Sequence, residues 1–225
     1  MKRFLAILLA LLLTAAPALA ATTGERNALN KAHSYLSFMA FSKEGLIEQL
    51  EFEGYTKSQA TYAANFCGAD WNEQAAKKAE SYLSFMSFSY EGLVDQLEYE
   101  GFTEAQAQYG ARVAYYGGSA SAYSYGSSAT SAGKTQALKK AKSYLSIMAF
   151  SHEGLVKQLA YEGFTKSEAT YAADNCGANW NEQAAKKAKS YLSIMSFSRS
   201  ELIKQLEYEG FTYSQASYGA RMNGY

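Results

Sequence analysis

The chain is predicted to be all-α, with four three-helix repeats of helix-turn-helix type arranged as two two-repeat domains. Three observations predict it. One string recurs four times along the sequence. Each copy spaces its apolar residues at helical intervals. Each copy also places cap residues where three short helices would begin and end. A single proline in 225 residues leaves little to interrupt helices.

The copies are "KAHSYLSFMAFSKEGLIEQLEFEGYT" from Lys31, "KAESYLSFMSFSYEGLVDQLEYEGFT" from Lys78, "KAKSYLSIMAFSHEGLVKQLAYEGFT" from Lys140 and "KAKSYLSIMSFSRSELIKQLEYEGFT" from Lys187. Copies one and two are 47 residues apart, as are three and four, and the pairs are offset by 109, as if a two-repeat unit had been duplicated whole. Between them lies "GGSASAYSYGSSATSAG", Gly117–Gly133, read as a flexible linker because it is rich in small residues and lacks a helical apolar period. If fully flexible it would reach about 20–25 Å. The domains are therefore placed at 24–116 and 134–225.

Within the first repeat, Ala28, Leu29, Ala32, Tyr35, Leu36 and Met39 form the buried face of the first helix. Ser42 is the N-cap of the second, with Phe41 and Leu46 placed for a hydrophobic staple. Gly54 is placed at C′, where a left-handed backbone is needed, and Tyr55 folds back on Leu50. Thr56 caps the third helix, with Gln59 completing a capping box; Thr103/Gln106, Thr165/Glu168 and Thr212/Gln215 repeat the arrangement. "DWNE" at Asp70 and "NWNE" at Asn179 start the first helices of repeats two and four, with Trp71 and Trp180 assigned to packing between repeats.

The first twenty residues, "MKRFLAILLALLLTAAPALA", read as a secretory signal peptide cleaved after Ala20: Lys2 and Arg3, an apolar run, then small residues. No later run is apolar for long enough to cross a bilayer, so the mature chain carries no transmembrane segment. Without Lys2 and Arg3 the chain has 19 basic and 21 acidic residues, a net charge of −2. A nucleic-acid reader shows a basic footprint; this chain shows none, so no nucleic-acid partner is expected despite the helix-turn-helix pattern. The halves differ in charge. Glu25 to Arg112 holds seven basic and thirteen acidic residues, a net of −6; Lys134 to Arg221 holds twelve and eight, a net of +4.

Catalytic constellations are absent from the pattern. His33 and His152 are the only histidines and fall at non-equivalent repeat positions, so neither a metal centre, nor a cofactor, nor a triad is expected. Cys67 and Cys176, the only cysteines, are equivalent. In an exported chain a disulfide is the default, with the bond between the two halves favoured over one between two molecules, and free thiols as the remaining option. If the halves pack about a pseudo-two-fold axis, Cys67–Cys176 and Glu80–Lys189 become cross-axis pairs. The recurring polar residues Gln49/Glu53, Gln96/Glu100, Gln158/Glu162 and Gln205/Glu209 are candidates for partner binding. Each glutamate sits where the helix dipole disfavours it, so either a structural compensation, from Lys31 and its counterparts or from the third helix, or a partner is implied. Gly45, Gly92 and Gly154 hold the third position of the second helix, where Glu201 stands in the fourth copy; a close approach in three repeats, relaxed in the last, would explain the cost.

The string "A…KA.SYLS.M.FS.EGL..QLE.EGFT..QA.Y" resembles the repeat of the Ltp-type family, the host cell surface-exposed lipoproteins, over nearly all of the chain outside the linker. The resemblance implies tandem helix-turn-helix-like domains and, from phage-borne members, superinfection exclusion: hindrance of a second phage's DNA entry, with the phage tape measure protein as target. It also implies a cysteine at the cleavage site, and "PALAATTGE" has none, so a secreted, cell-surface or periplasmic chain without a lipid anchor is expected. The leading reading is a non-enzymatic protein that binds a protein partner, from a phage or in the envelope. The alternative is a structural or cell-envelope interaction protein of bacterial origin, with the Tyr-rich linker and Tyr90 and Tyr213 as contacts.

Overall fold

The computed structural model describes residues 21–117 and 128–225, and the side chains of all these except 128–130. The signal-peptide reading and residues 118–127 of the proposed linker lie outside the described residues. Twelve helices are present among the described residues, three per repeat. Repeat 1 holds α1 (Thr23–Phe38), α2 (Lys43–Phe52) and α3 (Lys57–Phe66); repeat 2 holds α4 (Trp71–Phe85), α5 (Tyr90–Tyr99) and α6 (Glu104–Tyr116). Repeat 3 comprises α7 (Ser128–Ile147), α8 (His152–Tyr161) and α9 (Lys166–Asn175), and repeat 4 comprises α10 (Trp180–Leu192), α11 (Arg199–Tyr208) and α12 (Tyr213–Met222). Ser128–Gly133, assigned to the linker on composition, are the first turns of α7; serine and glycine are poor helix formers but do not forbid it.

Local chemistry sets the boundaries. The Ser42 side chain accepts from the Gly45 N–H, and the Thr56 side chain from the Gln59 N–H, whose amide returns to the Thr56 N–H as a complete capping box. The same box closes at Thr103, Thr165 and Thr212. Asp70 and Asn179 each accept from two backbone N–H groups at the starts of α4 and α10. At the end of α2, Gly54 has φ of +93°, and the Tyr55 N–H donates to the Leu50 carbonyl at 3.1 Å, which is the Schellman bond.

Each repeat has its own core, in which the first and third helices make the broadest contact. Their facing residues are alanines: Ala28 and Ala32 against Ala60, Ala63 and Ala64 in repeat 1. Small side chains let the helices come close, and in repeats 2 and 4 closer still. A Cβ at Gly110 would stand 2.5–2.8 Å from the backbone and Cβ of Ala75, and one at Gly219 would meet Ala184 in the same way. The second helix closes the core with two fully buried leucines per repeat, from Leu46 and Leu50 to Leu202 and Leu206, each worth roughly 1.5–3 kcal/mol of burial. Met39, expected on the buried face of α1, is instead its C-cap, extended at φ −135° and exposed. The run of helical spacing ends at Phe38, where the chain straightens toward Ser42.

The repeats form two pairs. Trp71, at the start of α4, packs against the core of repeat 1, and Trp180 against that of repeat 3, as expected. Between the pairs the joint is different: Ala132 of α7 packs against the core of repeat 2, beside stacked Tyr90 and Tyr116 and edge-on Tyr115. Tyr90 is therefore half-buried, with its hydroxyl on the Gln108 carbonyl, and is not the exposed contact expected of it; Tyr213 is exposed.

One contact recurs at every junction. The Ser42 hydroxyl donates to the Glu100 carbonyl at 2.5 Å, Ser89 to Glu162 at 2.7 Å, and Ser151 to Glu209 at 2.5 Å. In each case the N-cap of one second helix is bonded to the C-terminal end of the next. A Cβ at Gly45, Gly92 or Gly154 would lie 3.3–3.8 Å from that same carbonyl, which is ordinary contact at the first two and tight only at Gly154. Ser42, Ser89 and Ser151 are buried, while Ser198 of repeat 4 is exposed and shares a capping box with Glu201. The stack runs in one direction through all four repeats.

That direction overturns the pseudo-two-fold arrangement, in which equivalent residues would face each other. Cys67 packs against the core of repeat 1 and Cys176 against that of repeat 3, with repeat 2 joined between them. Both thiols are free, donating to the Ala64 and Ala173 carbonyls at 3.5 and 3.2 Å, so the intrachain disulfide is not formed. Glu80 and Lys189 form no ion pair.

Candidate partner-binding face

The four Gln/Glu pairs fall into one cluster per repeat. Lys31 reaches from α1 to Glu53 at the C-cap of α2, with 2.8 Å between Nζ and the carboxylate. Lys78–Glu100, Lys140–Glu162 and Lys187–Glu209 repeat the ion pair at 2.7–3.0 Å. The hydroxyls of Tyr35, Tyr82 and Tyr191 donate to the same glutamates. Gln49, Gln96, Gln158 and Gln205 donate in turn to the hydroxyls of Tyr35, Tyr82, Tyr144 and Tyr191 at 3.1–3.2 Å. Each lysine also lies over its tyrosine ring, 5.2–5.7 Å from the centroid.

These contacts answer the electrostatic question. A carboxylate at a helix C-terminus opposes the dipole, and here a lysine from the first helix compensates it. The Lys31 ammonium, then the Tyr35 hydroxyl, hold the Glu53 carboxyl below its ordinary range, and the Glu53 bond raises Lys31 in turn. Burial pushes Glu100 up, but the Lys78 and Tyr82 bonds outweigh it and leave its carboxyl lowered. Tyr82 is pushed up to about 12 by burial and by its bond to Glu100, and burial raises Tyr191 likewise. The cluster ties the end of the second helix to the first helix in all four repeats.

The residue just before each glutamate is the aromatic that the cluster holds outward. Phe52, Tyr99, Tyr161 and Tyr208 are 87–88% exposed. Phe38, Phe85, Ile147 and Ile194, at or just beyond the ends of the first helices, are 69–84% exposed, and Met39, Met86, Met148 and Met195 next to them 44–53%. Three large apolar side chains thus stand in solvent at equivalent places in every repeat. In repeat 4, Ser196 and Phe197, which follow Met195, line one groove with Lys204, Gln205 and Tyr208. Across the last junction, Ile147 and Met148 line another with Lys186, Lys187 and Ser190 of α10. Lys187, which lines that second groove, also pairs with Glu209, the residue after Tyr208. Large apolar patches are uncommon on a monomer's surface and mark interaction sites. Sequence reasoning assigned Met39 to the core and passed over Phe38 and Phe52; the signal was their failure to fit the buried spacing despite recurring as large apolar residues.

The histidines stay apart. His33 meets the Cys67 carbonyl at 3.2 Å, while His152 pairs with Asp174 at 2.7 Å and lies edge-on to Trp180. No group of three or more His, Cys, Asp or Glu side chains able to hold a metal ion occurs among the described residues. No described helix is long and apolar enough to cross a membrane.

Comparison with curated proteins finds no match. Among solved structures, that of Ltp, a superinfection exclusion protein from the Streptococcus thermophilus temperate phage TP-J34, is 35% identical where matched, covering 41% of this chain and 96% of that one with a TM-score of 0.39. The family described as host cell surface-exposed lipoprotein matches residues 24–65, 70–111, 133–176 and 179–220, one segment in each repeat. With its four repeats matched in turn, the chain belongs to the family of host cell surface-exposed lipoproteins.

Proposed function

We propose that the chain is a non-enzymatic binding protein of the cell exterior, whose fourfold apolar ladder grips a protein partner. The observation that carries this reading is the recurrence of exposed Phe52, Tyr99, Tyr161 and Tyr208, with their Phe/Ile and Met neighbours, on a stack whose joints share one serine–carbonyl bond. Gln49, Glu53 and their counterparts serve binding by fixing the end of the helix that presents each aromatic. Family membership favours a surface-exposed location, and the family resemblance favours phage superinfection exclusion, with the tape measure protein of an incoming phage as the partner.

The test is infection of cells that export the chain. Phage adsorption is expected to be normal and entry of phage DNA, followed by quantitative amplification, to be reduced. A Phe52→Ser/Tyr99→Ser/Tyr161→Ser/Tyr208→Ser variant, exported to the same level, is expected to lose the effect. Unchanged DNA entry across a phage panel, or full protection by the variant, overturns the reading.

A further inference from the structure

We propose that the ladder of one chain is covered by that of a second copy lying antiparallel to it, so that repeats 1 and 2 of each chain face repeats 4 and 3 of the other. The argument begins one helical turn before each ladder aromatic. Residues four apart share a helix face, so Glu48 stands beside Phe52, Asp95 beside Tyr99, Lys157 beside Tyr161 and Lys204 beside Tyr208. All four charged residues are exposed, and Lys204 and Tyr208 line the same groove. One turn before each ladder aromatic the side chain is thus acidic in the first two repeats and basic in the last two, although Glu201 shares the groove of Lys204 and Tyr208. The whole halves follow the same order, with net charges of −6 and +4.

A parallel pairing of two chains would set like charge on like, which costs affinity. A two-fold axis across the middle of the stack reverses the order of the repeats in the partner. Glu48 then meets Lys204 of the second copy and Asp95 meets Lys157, each contact being made twice. Lys157 already pairs with Glu153 within its own helix at 2.7 Å, but both side chains are largely exposed; such a pair is worth little and yields to a better one.

The area suffices. An aromatic side chain presents roughly 150–250 Å². Six exposed aromatics, two isoleucines and four methionines therefore offer on the order of 1,000 Å² per chain, against about 800 Å² per partner in a standard interface. The dimer uses the same ladder as the proposed function, so an external partner would compete with the second copy.

Sedimentation of the exported chain under reducing conditions, across concentration and salt, tests the arrangement; the reductant removes any disulfide between molecules. A dimer with Kd on the order of 10 µM is expected, weakening as salt is raised. Lys157→Glu/Lys204→Glu is expected to weaken it by about tenfold or more. Adding Glu48→Lys and Asp95→Lys to that variant restores the charge order in reverse and is expected to restore dimerisation to within about threefold. Circular dichroism confirms that each variant is folded, and cross-links should join repeat 1 to repeat 4. A chain that stays monomeric at about 100 µM, a dimer indifferent to the reversal, a reversal not rescued by the swap, or cross-links joining repeat 1 to repeat 1 overturns the proposal. A monomer that still lowers phage DNA entry overturns this inference alone, and a dimer without effect on entry overturns only the exclusion reading.

Discussion

Ser151→Ala and Ser198→Ala form a matched pair that isolates the junction bond. Both serines are N-caps of second helices, and each loses a side-chain acceptor for a backbone N–H. That loss costs about 1 kcal/mol. Only Ser151 also donates to the next repeat, at 2.5 Å from the Glu209 carbonyl, and only Ser151 is buried. Removing its hydroxyl leaves that carbonyl without its donor, a further cost of about 1–3 kcal/mol. The Ser198 hydroxyl meets no carbonyl of another repeat among the described residues, so its substitution is expected to cost the cap alone. With a urea slope of about 1–3 kcal/mol/M, the midpoint should fall by about 1 M more for Ser151→Ala than for Ser198→Ala. Equilibrium unfolding followed by the fluorescence of Trp71 and Trp180 and by far-ultraviolet circular dichroism measures both. Equal losses for the two variants would refute the reasoning, because the junction would then contribute nothing beyond capping.

Gly110→Ala tests the helix contact in repeat 2. In an open helix this change gains about 0.5–1 kcal/mol, but here the new Cβ would meet the Ala75 backbone, so a loss of about 1–3 kcal/mol in thermal or urea unfolding is expected. The Glu53 and Glu100 carboxyls are held below their ordinary range, so their contribution is complete above the unfolded carboxyl value of about 4.3 and is lost as pH falls through the lower folded values. Melting temperatures should therefore drop on acidification, and Glu53→Gln/Glu100→Gln should drop less steeply over that range. Two thiols per chain should react with a thiol reagent in the native protein without reductant, since Cys67 and Cys176 are free and half-buried; an unreactive pair in a chain that runs as a monomer on nonreducing electrophoresis would contradict the separation of the two cores.

The parts of the fold legible in the sequence were those governed by neighbours along the chain. Thr56 with Gln59, Ser42 with Gly45, and Gly54 with Tyr55 act within six residues; the first and last signals recur in all four repeats and the serine–glycine pair in three. The lysine that compensates Glu53 was legible as one of two options, since Lys31 recurs with it. The junction bond was only half visible. Gly45, Gly92 and Gly154 against Glu201 announced a close approach in three repeats, but no local pattern says that the approaching atom is the carbonyl of Glu100, Glu162 or Glu209. The direction of stacking was hidden for the same reason: duplication by 109 residues fits a two-fold pair and a continuing stack equally well. The ladder was missed because Phe52 and Phe38 look like core residues by type, and only the geometry of the helix ends turns them outward.

The exposed end at Ser198 bears on how such chains lengthen. Every internal joint presents the same serine, glycine and carbonyl, so a further pair inserted between the two existing pairs would find matching neighbours on both sides. A repeat placed after the fourth would meet different side chains, because Ser200 and Glu201 occupy the places of the Glu-Gly that the other three copies present at the joint. Gene duplication within the array would thus extend the ruler and its row of aromatics, while two adjacent codons keep its final graduation in place.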